Sequence, residues 1–286
     1  MRLFSRLKTL FRRKELKLGL ALGSGGAKGM AHLGVLKALE EAGITFSVVA
    51  GTSIGSIVGA LYAKGYTWAD MVQIVENVNR KEFSRGMNPF SDNAFVENFL
   101  SKFLDEDFSS LNLPFAAWAT DGNTGEGVLL NSGNLSRALA ASSAMPPYFR
   151  AVEIDGKRLF DGAFTNVVPC DVCKEMGADF VLGVDLSAYM TPHEEKGKLT
   201  RIFDSAIARL TPVKYKPDFK SRGLESADFM LSPKLTGFRA TDISRAMTNR
   251  MFELGYEEAK ENMAALKSAI ESARRRLKKC KRKERK

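Results

Sequence analysis

Gly51-Thr52-Ser53-Ile54-Gly55 places one hydroxyl between two glycines at G-x-S-x-G spacing. A serine hydroxyl is a weak nucleophile until a base takes its proton and a sharp turn presents it to a substrate. A strand that enters a helix through so tight a turn leaves little room for side chains. Gly51 and Gly55 supply that room, and Ser53 Oγ is pushed outward. The flanks provide the two elements. Phe46 to Ala50 is a short apolar run that fits a buried strand, and Ile54, Ile57, Val58 and Leu61 recur at helical spacing. The competing reading is a serine that caps an ordinary helix.

A second glycine-rich stretch, GSGGAKG at 23–29, lies between an apolar strand at Lys17 to Leu22 and a helix expected from Met30 to Ala42, which Gly43 stops. Successive backbone N–H groups in such a turn form a cradle for an anion. The anion could be a phosphate or dinucleotide, or the oxyanion of an acyl transfer. The stretch lacks the Walker pattern. The strand after its helix runs into the candidate nucleophile, where a dinucleotide fold needs an acidic residue for the ribose. Strand, loop, helix and strand make a βαβ unit, and parallel neighbours deliver both turns to one sheet edge. The oxyanion reading and the nucleophile reading therefore support each other.

The base is harder to find. His32 lies one turn into the helix after the glycine-rich loop, and His193 lies in a polar loop. Neither resembles a triad histidine following the nucleophile, and His32 is expected to be structural. A carboxylate is then left to take the Ser53 proton. Asp161, with Gly162 and Ala163, follows a hairpin expected over Val152 to Phe160 with its turn at Asp155-Gly156. Alone, an Asp-Gly pair is only a turn signal. Cys170 and Cys173 have redox or metal spacing but form a single pair, and are expected as thiols in a helix's first turn.

The remaining pattern gives helices near 67–79 and 91–104, the latter with Phe95, Phe99 and Phe103 at every fourth position. Strands are expected at Leu113 to Thr120, Val181 to Leu186 and Phe229 to Leu231. A helix over Ser136 to Ala144 ends at Pro146-Pro147, residues 188–199 read as a loop, and Thr241-Asp242 can cap a long last helix. A chain of 286 residues with 44% hydrophobic content can bury one large α/β core. No apolar run reaches membrane-spanning length, no signal core is evident, and three cysteines fit a reducing, cytoplasmic setting.

The net charge of +10 is divided unevenly, with +5 in residues 1–15, +9 in residues 274–286 and −4 between. As a helix, the first tail groups Leu3, Phe4, Leu7, Leu10 and Phe11 on one face and basic residues elsewhere. That pattern suits an anionic membrane surface; an ordinary packed helix or a disordered arm is the competing reading. The second tail is a charge block expected to be a frayed, solvated end. Peripheral contact with the inner membrane face is the partner these tails suggest; nucleic acid is not expected.

Together, GSGGAKGMAHLG, GTSIG and DGA resemble the patatin-like phospholipase family, with further likeness in AWATDGNTGE at 117–126 and ASSAMPPYF at 141–149. The resemblance covers roughly residues 17–187, with a basic arm at 1–16, a mainly helical part at 188–273 and the basic tail at 274–286 beyond it. It implies an α/β fold, a three-layer α/β/α sandwich with a mainly parallel central sheet. It implies an acyl-lipid hydrolase with Ser53 as nucleophile and Asp161 as base, needing no metal or cofactor. The amides of Gly25, Gly26 and Ala27 would form the oxyanion hole, with Lys28 at the family's Arg/Lys position. The family carries three glycines in a row, and Ser24 stands in the first place here. A non-catalytic adaptor on the same scaffold and a soluble esterase or thioesterase are the alternative readings.

Overall fold

The structure, a computed structural model, describes residues 15–77, 94–146, 148–189 and 221–284. Residues 1–14 of the basic arm expected at 1–16, His193, Pro147 and nearly all of the loop expected at 188–199 lie outside these residues.

Three strands form the centre of the sheet. β1 (Leu18–Leu22) lies between β2 (Val48–Thr52) and β7 (Phe180–Val184), both parallel to it. Each is buried at every position, which is why each reads as an unbroken run of apolar and small residues. β3 (Phe115–Asp121) continues the parallel pairing beyond β2, and β8 (Phe229–Leu231) continues it beyond β7. Antiparallel pairing enters only around β3, through β4 (Gly127–Leu130) and the hairpin of β5 (Val152–Ile154) with β6 (Lys157–Asp161). The hairpin turns where Asp155 and Gly156 take φ of 49° and 73°, the paired positive values of a type I′ turn. The result is an eight-stranded mixed sheet. β4 was not anticipated, because Gly127-Val-Leu-Leu130 shows no alternation.

Among the described residues the α-helices are α1 (Met30–Glu41), α2 (Ile54–Lys64), α3 (Trp68–Asn77), α4 (Ala94–Leu100), α5 (Leu135–Ser142), α6 (Cys170–Glu175), α7 (Ser221–Glu225) and α8 (Arg245–Glu284). They cover both faces of the sheet. Leu20 and Leu22 belong to the larger apolar cluster, shared with α1, α2, α5 and α8. Ala21, Val48 and Ala50 belong to the smaller one, shared with Val172 and Cys173 of α6. Alternate strand residues thus feed opposite layers, giving the α/β/α sandwich.

One feature of the sheet decides the site. β2 ends at Thr52, paired with Trp118, and β6 ends at Asp161, paired with the next residue of β3, Ala119. β4 holds the other edge of β3 at both positions. β2 and β6 therefore meet end to end along one edge of β3, bringing residues 108 positions apart together.

The C-terminal part differs from expectation in two places. Asp242 does not cap α8; it accepts from the Arg239 N–H at 2.7 Å and closes a local turn, while Ser244 Oγ accepts from Met247 N–H at the helix start. Where a frayed, solvated end was expected, α8 continues as helix through Glu284, with its basic residues exposed up to Lys279. Its forty residues, about 60 Å of helix, begin by packing on α1. There a Cβ on Gly34 would stand 2.0 Å from Phe252 O, and one on Gly255 would stand 2.0 Å from Ala31 O, so only glycine lets the two backbones touch. The two helices run in the same direction, because Tyr256 and Lys260 reach Glu41 further along α1.

Candidate active site

Ser53 sits at the join of β2 and α2 with φ 55° and ψ −127°. A non-glycine residue held there stores strain on the order of 1–3 kcal/mol, which the surroundings must impose. They do so by contact. A Cβ on Gly51 would stand 2.3 Å from Gly55 O, and one on Gly55 would stand 2.1 Å from Leu22 O. A Cβ on Gly162 would stand 2.1 Å from Trp118 O, so the segment after Asp161 also packs directly on β3.

Ser53 Oγ donates to Asp161 Oδ2 at 2.6 Å. The other oxygen, Asp161 Oδ1, accepts from Ala163 N–H at 2.8 Å. Ser53 is 8% exposed and Asp161 is 1% exposed. Burial pushes the Asp161 carboxyl up to about 6, against the opposing pull of the bonds from Ser53 and Ala163. The carboxylate is thereby made a stronger base than an ordinary aspartate, and it has one neighbour from which to take a proton.

His32 has no such partner. It is fully buried, its Nε2 meets Gly23 O at 2.8 Å, and its Nδ1 finds no hydrogen bond. Burial lowers its pKa to about 4, so it stays neutral and holds the glycine-rich loop. Cys170 and Cys173 lie in the first turn of α6, both buried, and burial raises both thiols, Cys173 to about 12. Thiols so hard to ionise are inert.

The glycine-rich loop lies against the Ser53 turn at both of its ends. A Cβ on Gly55 would stand 2.7 Å from Gly23 O, and one on Gly29 would stand 2.3 Å from Ile54 Cγ1. Gly23 and Ser24 spend their N–H groups on Val184 O and Val167 O. Ala27 N–H donates to Ala240 O at 2.8 Å. The Gly25 and Gly26 amides make no hydrogen bond to a protein group among the described residues. Lys28 is 5% exposed; burial lowers its pKa, opposed by the carboxylates of Asp242 and Asp185.

Two participants carried no chemical signal in the sequence. Ser142, the last residue of α5, accepts from Ser53 N–H at 3.0 Å and donates to Trp118 O at 2.7 Å. It ties the strained residue to β3 from behind. Ala240, from the segment before α8, reaches the loop with a backbone carbonyl, which no side-chain type reveals. No group of three His, Cys, Asp or Glu that could hold a metal ion occurs among the described residues.

The chain is similar to known proteins over this region. It is 35% identical over 184 residues to patatin-like phospholipase domain-containing protein 6 of Mus musculus, matching 60% of this chain and 14% of that one. It is 32% identical over 178 residues to an uncharacterized NTE family protein of Mycobacterium tuberculosis, matching 60% of this chain and 49% of that one. It thus spans half or less of these relatives' own length. Among solved structures, VipD from Legionella pneumophila superposes with a TM-score of 0.51 at 14% identity, over 91% of this chain and 67% of that one. Human GIVD cytosolic phospholipase A2, solved with methyl gamma-linolenyl fluorophosphonate, gives 0.53 at 14% identity, over 97% and 62%. These two share the fold. The family model described as patatin-like phospholipase matches residues 20–174, from β1 through α6 and thus across both Ser53 and Asp161, and the chain belongs to that family.

Proposed function

We propose that this protein is a serine hydrolase that cleaves acyl esters of lipids through Ser53 and Asp161. The observation that carries the reading is the 2.6 Å hydrogen bond from a strained serine hydroxyl to a buried carboxylate whose pKa is raised. Asp161 accepts the proton as Ser53 Oγ attacks the ester carbonyl. The loop amides at Gly25, Gly26 and Ala27 receive the oxyanion, and an acyl-enzyme forms as Asp161 returns the proton to the departing alcohol. Water attacks the acyl-enzyme, Asp161 takes its proton and passes it to Ser53 Oγ, and the fatty acid departs. Lys28, beside the cradle, adds positive potential at the developing charge. The acyl-lipid substrate class rests on the family and on the names of its members.

The basic ends are proposed to hold the protein on anionic membrane. Arg274, Arg275, Arg276, Lys278 and Lys279 are exposed on α8. Because α8 runs alongside α1, this segment lies at the end of the fold away from the glycine-rich loop. In this reading it tethers the protein and does not press the site against lipid. The decisive experiment for the chemistry is labelling by a fluorophosphonate probe alongside fatty-acid release from lysophospholipid. Wild type should do both and Ser53→Ala neither; wild-type protein that is folded yet inert in both assays would point to a non-catalytic role.

A further inference from the structure

The segment Thr236–Asp242 joins β8 to α8 and crosses the glycine-rich loop on its way. Its Ala240 carbonyl accepts from Ala27 N–H at 2.8 Å. A Cβ on Gly26, which has φ +57°, would stand 2.6 Å from Ala240 O and 2.9 Å from Ala240 Cβ. The strap's backbone therefore rides directly on the loop whose amides face an acyl carbonyl in the reading above. A carbonyl oxygen of the chain itself occupies one donor of the anion cradle.

The rest of the strap is loosely built. Thr236, Gly237, Arg239, Ala240 and Thr241 are exposed. Its other backbone bonds are local, from Phe238 N–H to Leu235 O and from Asp242 N–H to Arg239 O, with Asp242 Oδ2 closing on Arg239 N–H. The Asp242 charge also acts on Lys28, raising its pKa against the lowering by burial. The anchors lie on either side of its exposed stretch: Leu235 is buried, Phe238 is half-buried against the main core, and α8 is locked to α1 through Gly34 and Gly255. The exposed run Arg239–Thr241 between these anchors, held by local turns, opens at low cost.

We propose that the Thr236–Asp242 strap is an internal plug of the anion cradle, its Ala240 carbonyl holding the Ala27 amide until a substrate's acyl oxygen displaces it. This rests on the hydrolase reading. The competition is uneven along the reaction. A ground-state ester carbonyl is a neutral acceptor like Ala240 O and gains little by exchange. The oxyanion makes a charge-assisted bond about twice as strong and wins the amide. The closed strap holds the resting protein below its full activity, and any partner or surface that draws the strap off raises it.

The test replaces residues 239–242, RATD, with GSGS in the full chain, keeping length, Phe238 and the outer anchors. Labelling of Ser53 by a fluorophosphonate should accelerate at least about fivefold, the factor that one net hydrogen bond sets. Hydrolysis of p-nitrophenyl butyrate should rise with it, and amide exchange at Ala27 should quicken. In wild type, phosphonylation of Ser53 should raise exchange across 236–242, because the phosphonyl oxygen takes the amide. A folded variant with unchanged or slower labelling overturns the plug. So does unchanged strap exchange on phosphonylation, a measurement that stands even if the variant fails to fold. Absence of labelling in both proteins overturns the hydrolase reading instead, and exchange at Ala27 then judges the strap alone: faster in the variant upholds the closed cradle, unchanged rejects it.

Discussion

The turn around Ser53 and the far end of α8 are held by opposite kinds of force. At Ser53, backbone lies against backbone at Gly51, Gly55 and Gly162, and the polar groups there are buried and paired. Past Ala273, the last described buried position of α8, the helix presents exposed arginines and lysines, with Arg274 and Arg275 near Glu271. In the first region a single atom decides the outcome, since nothing can move aside. In the second only the sum of charges counts, and any one residue is replaceable. The contrast can be broken by showing that an atomic change at the turn is tolerated, or that the basic end feels one.

The largest effect is expected at the dyad. Ser53→Ala and Asp161→Asn should each lower kcat on a soluble ester by about 10⁴ or more while the protein remains folded. In the proposed dyad the two groups act as a unit, so the double mutant should lose no more than either single one. Retention of most of kcat by either mutant, measured with folded protein, would reject that residue's role.

The next expectation is steric. Gly55→Ala places a methyl 2.1 Å from the Leu22 carbonyl, a backbone atom of the central strand. Overpacking of this kind costs on the order of 1–3 kcal/mol, and displacing the turn should lower kcat about a hundredfold. At the exposed Ser272 the same-sized residue, alanine, should change neither Tm nor rate. An active, unshifted Gly55→Ala protein would show that the turn is not set by contact.

Much of this arrangement was legible beforehand, for physical reasons. Glycines at 51, 55 and 162 are forced by close approach, and such positions announce themselves in the sequence. The buried parallel strands read as unbroken apolar runs, and the Asp155-Gly156 turn has no other use for its pair. What was hidden depended on backbone atoms or neutral side chains. The Ala240 carbonyl belongs to an alanine that any loop could carry, and Ser142 resembles any helix-end serine. Asp242 looked like a helix cap because it precedes α8, yet its own turn with Arg239 claims the carboxylate first. The charge block at 274–286 suggested fraying, but arginine and lysine are good helix formers and extend a helix already anchored on α1.

Ser142 offers an intermediate effect. Ser142→Ala removes the acceptor for Ser53 N–H and the donor to Trp118 O. An unpaired buried group costs about 1–3 kcal/mol, and because the strained serine loses its tether, kcat should fall about tenfold or more with KM little changed. Ser142→Thr should restore part of the rate. A fall in Tm without change in kcat would assign Ser142 to stability alone.

The pH dependence separates two buried groups, Asp161 and His32. As the proposed base, Asp161 would act only when ionised, so kcat/KM should rise with pH up to about 6 and level off above. Below that value each unit should cost about tenfold. Its effect on stability has the opposite sense. With the folded carboxyl raised from 3.8 to about 6, the folded state holds the extra proton between those values, and this contribution declines as pH rises. His32, lowered from 6.5 to about 4, makes the unfolded state the one that holds more protons, so its contribution grows as pH rises from about 4 to 6.5. Asp161→Asn should therefore make the protein's stability rise more steeply over that range, as followed by denaturant midpoints. A shallower rise would reverse the assignment.

The smallest effect on catalysis is expected at the basic end, where the effect on binding is large. Each Lys or Arg near an anionic surface contributes on the order of 1 kcal/mol, less as salt screens it. Removing residues 274–286 takes away +9 and little apolar surface. Affinity for vesicles containing phosphatidylserine should drop at least tenfold at low salt, and the salt dependence of what remains should flatten. Removing residues 1–15 takes away +5 together with Leu3, Phe4, Leu7, Leu10 and Phe11. The residual binding should then depend more strongly on salt, because burial of leucine and phenylalanine is insensitive to it. Neither truncation should change kcat/KM on p-nitrophenyl butyrate more than about twofold, since Ser53, Asp161 and the glycine-rich loop lie outside both segments. Co-sedimentation across a salt series, run beside the soluble-ester assay, reads both quantities. A C-terminal truncation that bound vesicles normally but lost soluble activity would show that α8's far end supports the site through α1, and the two regions would no longer be independent.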